Sequence, residues 1–278
     1  MVDIIIYSLI FLMGAFFGSF FSLAVYRIPL GENITHKHSF CPNCKHKLGI
    51  LELIPIFSYI FLGGKCKNCK EKIKIRYVLL EIFSGLTFLI FAISLNINFS
   101  ILEISKIIYF GFAALYFCGL FIIAGIDKEK NIIQKSVLVY NLLITTAYII
   151  YLYIVEHANI YRYIMYLIIM LILIIIDTLI LKKKARENYP IEILTLCICI
   201  SIFSGEIVFI LTVIYCLLAI AIQISINKLK QRKNKYRKSE KGNENIIDKI
   251  KVPIGFYLCS INIIVLIVIN YIVNFNIY

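Results

Sequence analysis

Long apolar runs separated by short polar segments make up most of the chain. They fall at Ile4–Val25, Val78–Leu95, Ile107–Ile126, Val137–Ile154, Tyr163–Leu181, Ile191–Phe203, Ile207–Ile226 and Pro253–Val273. Most are long enough to cross about 30 Å of hydrocarbon as an α-helix. Apolar and polar positions do not alternate within them, so they read as helices and not as barrel strands. Backbone groups in lipid must bond inside their own segment, which points the same way. The sixth run is short, and only Gly205 parts it from the seventh. The pattern predicts an all-α polytopic membrane protein with about eight transmembrane helices. Its units are a first helix over residues 1–26, a polar loop over 27–77 and a helical membrane domain over 78–278.

Composition supports the bilayer as solvent. The chain is 61% hydrophobic and 16% charged, with a mean hydropathy of +0.88. A soluble domain is about 45–50% apolar and about 25% charged, and could not hide this much apolar surface. The first run lacks a basic segment before it, since only Asp3 precedes Ile4, and it is long enough to span. It therefore reads as a retained helix and not as a signal peptide.

Charge then sets the orientation. Of 29 Lys and Arg residues, 27 lie in four segments: 10 in Arg27–Tyr77, 3 in Lys128–Lys135, 4 in Lys182–Glu187 and 10 in Asn227–Lys251. The opposite loops hold only Lys106 and Arg162. Eight alternating spans put all four basic segments on one side, which the positive-inside rule makes cytoplasmic, and both termini outside. The net charge of +13 therefore calls for no nucleic acid. Asn227–Lys251 carries no folded nucleic-acid-binding motif and is read as a topological anchor facing anionic lipid.

Five of the nine cysteines, Cys118, Cys197, Cys199, Cys216 and Cys259, stand alone in apolar runs and read as small buried hydrophobes. The other four form Cys41-Pro42-Asn43-Cys44 and Cys66-Lys67-Asn68-Cys69, with 21 residues between the pairs. Two such knuckles suit a tetrahedral Zn²⁺ site: each supplies two thiolates to one side of the metal, and the intervening chain brings the second pair around. Four protein ligands leave no open position, so the zinc would be structural. A redox dithiol and unliganded thiols are the alternatives. His36, His38 and His46 read as solvent-exposed loop residues.

Around these knuckles several elements recur in order: Gly18-Ser19-Phe20, Tyr26-Arg27-Ile28-Pro29, the first knuckle, Ile54-Pro55-Ile56-Phe57-Ser58-Tyr59, Gly64-Lys65 leading into the second knuckle, then Ile75-Arg76-Tyr77 and Glu81. Over these roughly 70 residues the chain resembles the type IV prepilin peptidases, with Ser22 where that family usually has Asn. The resemblance implies an intramembrane aspartic protease of the bacterial cytoplasmic (inner) membrane. Such a protease removes the basic leader from prepilins or pseudopilins. Many members also methylate the new N-terminus, with S-adenosylmethionine as donor.

Aspartic proteolysis needs two carboxylates sharing one proton, one activating water and the other bonding the scissile carbonyl. Asp127, in Ala124-Gly125-Ile126-Asp127, resembles the family's first catalytic aspartate, with Gln134 in place of the usual Pro. By position alone the plain reading, a helix-end charge, comes first. The family's second motif, Gly-x-Gly-Asp, is missing: over 187–194 Pro190 takes the Asp position and Glu192 falls where Lys is usual. Glu192 and Asp177 are the acids that can stand in, in that order, with Glu187 nearby. Asp177 lies inside an apolar run, where an ionisable residue is a functional candidate, although a buried hydrogen-bonded Asp is the plain alternative.

Three readings follow. One is an active prepilin peptidase. Another is a catalytically degenerate homologue that binds prepilins or assists pilus assembly. The third is a small-solute transporter, disfavoured because no pair of broken helices recurs in two halves.

Overall fold

The computed structural model describes residues 2–34, 38–41, 43–97, 103–155, 157, 161, 163–166, 168–169, 172, 190–239 and 252–275. Among the described residues its continuous helices are α1 (Val2–Arg27), α2 (Phe57–Phe61), α3 (Arg76–Ser94), α4 (Ile104–Lys130), α5 (Lys135–Val155), α6 (Pro190–Ser204), α7 (Glu206–Ser239) and α8 (Ile254–Phe275). Among the described residues six helices are long and apolar enough to cross a membrane, and α6 is a shorter apolar helix. The predicted fifth span, Tyr163–Leu181, lies largely outside the described residues. Gly205 takes φ +82° between α6 and α7, so the weak sequence boundary is a real turn at a residue that tolerates a left-handed backbone.

Two helices overrun their apolar windows. The basic segment after Ile226, read from sequence as loop, is helical as far as Ser239, because its Lys, Arg and Gln are good helix formers once a span has nucleated the helix. Likewise α4 continues past Asp127 to Lys130 and ends on Asn131 in the left-handed conformation. Asp127 is therefore enclosed by its helix and does not hang from its end.

The first two long helices pack through backbone. Gly14 and Gly18, one helical turn apart, face α3: a Cβ on Gly14 would lie 2.9 Å from Gly85 Cα, and one on Gly18 would lie 2.7 Å from Glu81 Cα. The Ser84 hydroxyl donates to the Gly14 carbonyl at 2.6 Å across this seam. Small residues four apart are the means by which helices approach closely in lipid, where apolar burial supplies little drive. Gly18→Leu is expected to push α1 from α3 and to cost roughly 1–3 kcal/mol. Thermal unfolding in detergent checks it, and an unchanged midpoint would contradict the seam.

The α4 helix is the central element. Tyr116, Phe117, Leu120, Ile123 and Ile126 on it are fully buried against α1, α5 and α8. Phe117 meets Phe91 of α3 at 5.0 Å between ring centroids, and Tyr116 stacks on Phe203 of α6 at 4.2 Å. Near the α6–α7 turn the Tyr116 hydroxyl donates to Asn262 Oδ1 at 3.0 Å. The Asn262 amide in turn donates to Ser204 and Thr212. This satisfied polar knot ties α4, α6, α7 and α8 together at that end. The opposite end carries the cysteine loop and the acids.

Candidate functional site

The cysteine loop is built from two copies of one turn. In the first, Cys41 N–H donates to the His46 carbonyl at 2.9 Å and Lys45 N–H to the Cys41 carbonyl at 2.9 Å. In the second, Cys66 N–H donates to Glu71 at 2.9 Å and Lys70 N–H to Cys66 at 3.0 Å. Each turn closes through a lysine at positive φ, 58° at Lys45 and 60° at Lys70. The copies face each other across the sulfurs. Cys41 Sγ lies 3.9 Å from Cys69 Sγ, Cys44 Sγ lies 3.9 Å from Cys66 Sγ, and all four fall within 4.8 Å of one another. A tetrahedron with Zn–S bonds of about 2.3 Å has S···S edges of about 3.8 Å, so the four atoms already have the right spacing. All nine cysteines are free thiols, and 3.9 Å is far beyond a disulfide bond.

The surroundings favour thiolates at Cys44 and Cys66. The Asn43 amide donates to Cys69 Sγ and the Asn68 amide to Cys44 Sγ. The His46 backbone N–H, helped by Asn68, pulls the Cys44 thiol down to about 6. The backbone N–H groups of Cys69 and Asn68 lower Cys66. At Cys41 the Cys44 N–H pulls the same way, but burial and the thiols of Cys44 and Cys66 outweigh it and push the group up to about 11. Four thiols cannot all ionise side by side; a dication resolves the conflict.

His46 departs from its reading as a solvent-exposed histidine. It is half-buried and pairs with Glu52 at 3.3 Å, and Glu52 also accepts from Gly49 N–H at 2.8 Å. The pair braces the chain that runs between the knuckles. His38 is exposed, and His36 lies outside the described residues.

Several bonds fasten the loop to the helices. Arg27 is buried and donates to the carbonyls of Asn33, Ile34 and His38 at 3.3, 3.4 and 3.0 Å. Arg76 forms an ion pair with Glu129 near the end of α4. Gln134, standing where the family usually has Pro, donates to the Ile28 carbonyl at 3.4 Å, a bond that Pro could not make.

The acids gather at this same end. Asp127 is fully buried on α4, and its Oδ2 accepts from the Phe256 N–H at 3.0 Å. That N–H belongs to the first turn of α8, where intrahelical partners are missing and the helix dipole favours an anion. Gly255 lets α8 approach: a Cβ there would lie 3.2 Å from Asp127 Oδ2. Lys128, next along α4, sits 4.6 Å over the Phe256 ring. The α8 contact was missed in the sequence; Pro253-Ile254-Gly255-Phe256, a helix start with a glycine beside it, was its one local sign. Glu192 sits in the first turn of α6 and lies 3.8 Å from Lys135 Nζ at the start of α5. Its position there is also what helix electrostatics alone would favour. Asp177 and Glu187 lie outside the described residues.

Residues 12–95 match the family described as Bacterial Peptidase A24 N-terminal domain. This stretch runs from within α1, through the cysteine loop, to the end of α3. Several proteins named prepilin leader peptidase/N-methyltransferase are similar to the chain. One from Bacillus subtilis (strain 168) is 33% identical over 134 residues, 48% of this chain and 50% of the relative. One from Myxococcus xanthus (strain DK1622) is 38% identical over 79 residues, 28% of this chain and 24% of the relative. One from Klebsiella pneumoniae is 36% identical over 89 residues, 30% of this chain and 39% of the relative. The chain thus covers a quarter to a half of the length of these relatives. No solved structure matches.

Proposed function

We propose that the chain, whose residues 12–95 match the Bacterial Peptidase A24 N-terminal domain, is a membrane-embedded aspartic endopeptidase of the prepilin peptidase type in the bacterial inner membrane, acting on type IV prepilins or secretion pseudopilins. The observation that carries the catalytic part is Asp127: a fully buried carboxylate at the loop end of the bundle, held by a helix N-terminus. In this reading Asp127 is one half of a proton-sharing pair and Glu192 or Asp177 is the other. One carboxylate takes a proton from water as it attacks the scissile carbonyl, and the other, protonated, bonds the carbonyl oxygen and then the leaving amine. Cys41, Cys44, Cys66 and Cys69 hold a structural Zn²⁺ that fixes the loop beside Asp127. That loop and the other basic segments lie in the cytoplasm, where a basic leader would meet them. Methylation of the new N-terminus from S-adenosylmethionine is the finer part of the proposal and rests on the names of the relatives.

A specific observation favours a second reading. The Gly-x-Gly-Asp motif is missing from 187–194, and the acid nearest its place is paired with Lys135. The chain would then be a prepilin-binding homologue without protease activity. Co-expression with a prepilin from the same cell, followed by the intact mass of the prepilin, separates the cases. The peptidase reading expects loss of the leader, with one added methyl group if methylation follows. An unprocessed prepilin beside well-folded protein selects the binding homologue.

A further inference from the structure

One stretch of the cysteine loop is apolar where a water-exposed loop should be polar. In α2, Phe57, Ile60 and Phe61 are exposed by 47%, 63% and 83%, and Lys65 and Lys67 follow close behind. A five-residue helix with three large exposed apolar side chains has no rationale as a solvated surface.

Its depth suggests what covers it. The N–H of Ile56, immediately before α2, donates to Glu81 Oε2 at 2.7 Å, and the Ser19 side chain of α1 bonds the same carboxylate. Glu81 is five residues into α3, so it lies about 7.5 Å along the helix from Arg76. Arg76 pairs with Glu129, and with Lys128 and Lys130 at the end of α4 these residues mark the charged boundary of the bundle. The start of α2 is therefore pinned on the apolar side of that boundary. Ile56 takes φ +64°, ψ −54° in a γ-turn closed by the Phe57 N–H on the Pro55 carbonyl, a region that a β-branched residue enters only under constraint.

We propose that α2 is an interfacial membrane element. Phe57, Ile60 and Phe61 lie among the acyl chains just below the headgroups of the bilayer that the bundle spans, and Lys65 and Lys67 meet anionic headgroups. Amphipathic elements insert about 5–10 Å below the headgroups, which brackets the depth set by Glu81, and basic residues beside such a surface are drawn to anionic lipid. The occupant of the exposed face is thus lipid. The element holds the cysteine loop down against the membrane beside Asp127.

The chain has no tryptophan, so Phe61→Trp introduces a single reporter at an exposed position. The full-length variant is reconstituted into phosphatidylcholine–phosphatidylglycerol nanodiscs, with helicity by circular dichroism and metal content confirming the fold. Indole emission is expected to the blue of N-acetyltryptophanamide in buffer. Brominated acyl chains should quench it strongly and aqueous iodide weakly, as for a Phe16→Trp reference within α1. Ile60→Trp repeats the test where Phe61→Trp fails to fold. Water-like emission with iodide quenching would overturn the proposal. So would water-like emission that turns blue only on adding a basic prepilin leader peptide, which would make the face a peptide-docking surface.

Discussion

Replacing Asp127 by Asn is expected to reduce prepilin cleavage by about 10²–10⁴-fold, the range associated with losing an acid–base group, while leaving the fold in place. The structure makes this substitution specific. Asp127 Oδ2 accepts one N–H from Phe256, and the Asn carbonyl oxygen can accept the same bond. Asn cannot ionise or share a proton, so what is lost is chemistry and not packing. Intact mass of the co-expressed prepilin gives the readout, with membrane protein level and thermal unfolding as controls. A second acid must then be equally sensitive, because one carboxylate cannot both activate water and protonate the carbonyl. Glu192→Gln comes first in expectation, Asp177→Asn second and Glu187→Gln third. Glu192 already lies 3.8 Å from Lys135, so Lys135→Gln helps to separate roles: a structural pair loses stability, whereas a catalytic Glu192 also shows a shifted pH profile of cleavage. If wild type cleaves and no second acid matters, the proposed pair is wrong. If wild type cleaves nothing from its own cell, the non-catalytic reading stands.

These acids also show how far the sequence could be read. Hydropathy gave six of the predicted spans as long apolar helices because burial in lipid is a property of consecutive residues, and the Gly205 turn followed from one residue type. The two knuckles were legible because four thiolates around one metal impose a short local spacing. The partner of Asp127 was not: Phe256 lies 129 residues away, and a backbone N–H leaves no mark in a side-chain pattern. The closeness of α1 and α3 had a sign in Gly14 and Gly18, one helical turn apart, but nothing in the sequence says which helix they face. Glu81 shows the same limit: it could be quoted as a motif residue, yet its bond to Ile56 N–H and its neighbour Ser19 emerge only when α1, α3 and the loop meet. Helix ends were the least legible, because α4 and α7 run on in polar residues that favour helix as much as apolar ones do.

Changing Cys66 and Cys69 together to Ser is expected to remove the metal from about one Zn²⁺ per chain to none and to unfold the cysteine loop while the spans persist. Binding to structural zinc sites is worth about 10–16 kcal/mol near neutral pH, and that free energy is also folding free energy. Between the knuckles the regular elements are short, one 3₁₀ turn (Ile50–Glu52) and α2, so the two knuckle turns depend chiefly on the metal for their order. Zinc content by mass spectrometry and limited proteolysis at the loop give the readouts, and full metal retention in the double variant would remove the assignment. The pH dependence follows from the thiols. Cys44 is lowered from an ordinary 9.0 to about 6, so its thiolate contributes fully above the ordinary value and that contribution is lost as the pH falls through about 6. Bound zinc competes with protons and delays the loss. The wild-type protein should therefore keep its zinc at pH 7, surrender it to a chromogenic chelator only on acidification below about 6, and take up protons as it does so. Asn68→Ala removes the amide that donates to Cys44 Sγ, raises that thiol, and should move the release to higher pH without changing the metal stoichiometry at pH 8. Release that is independent of pH, or an unmoved release profile in Asn68→Ala, would mean that these thiolates are not what holds the metal.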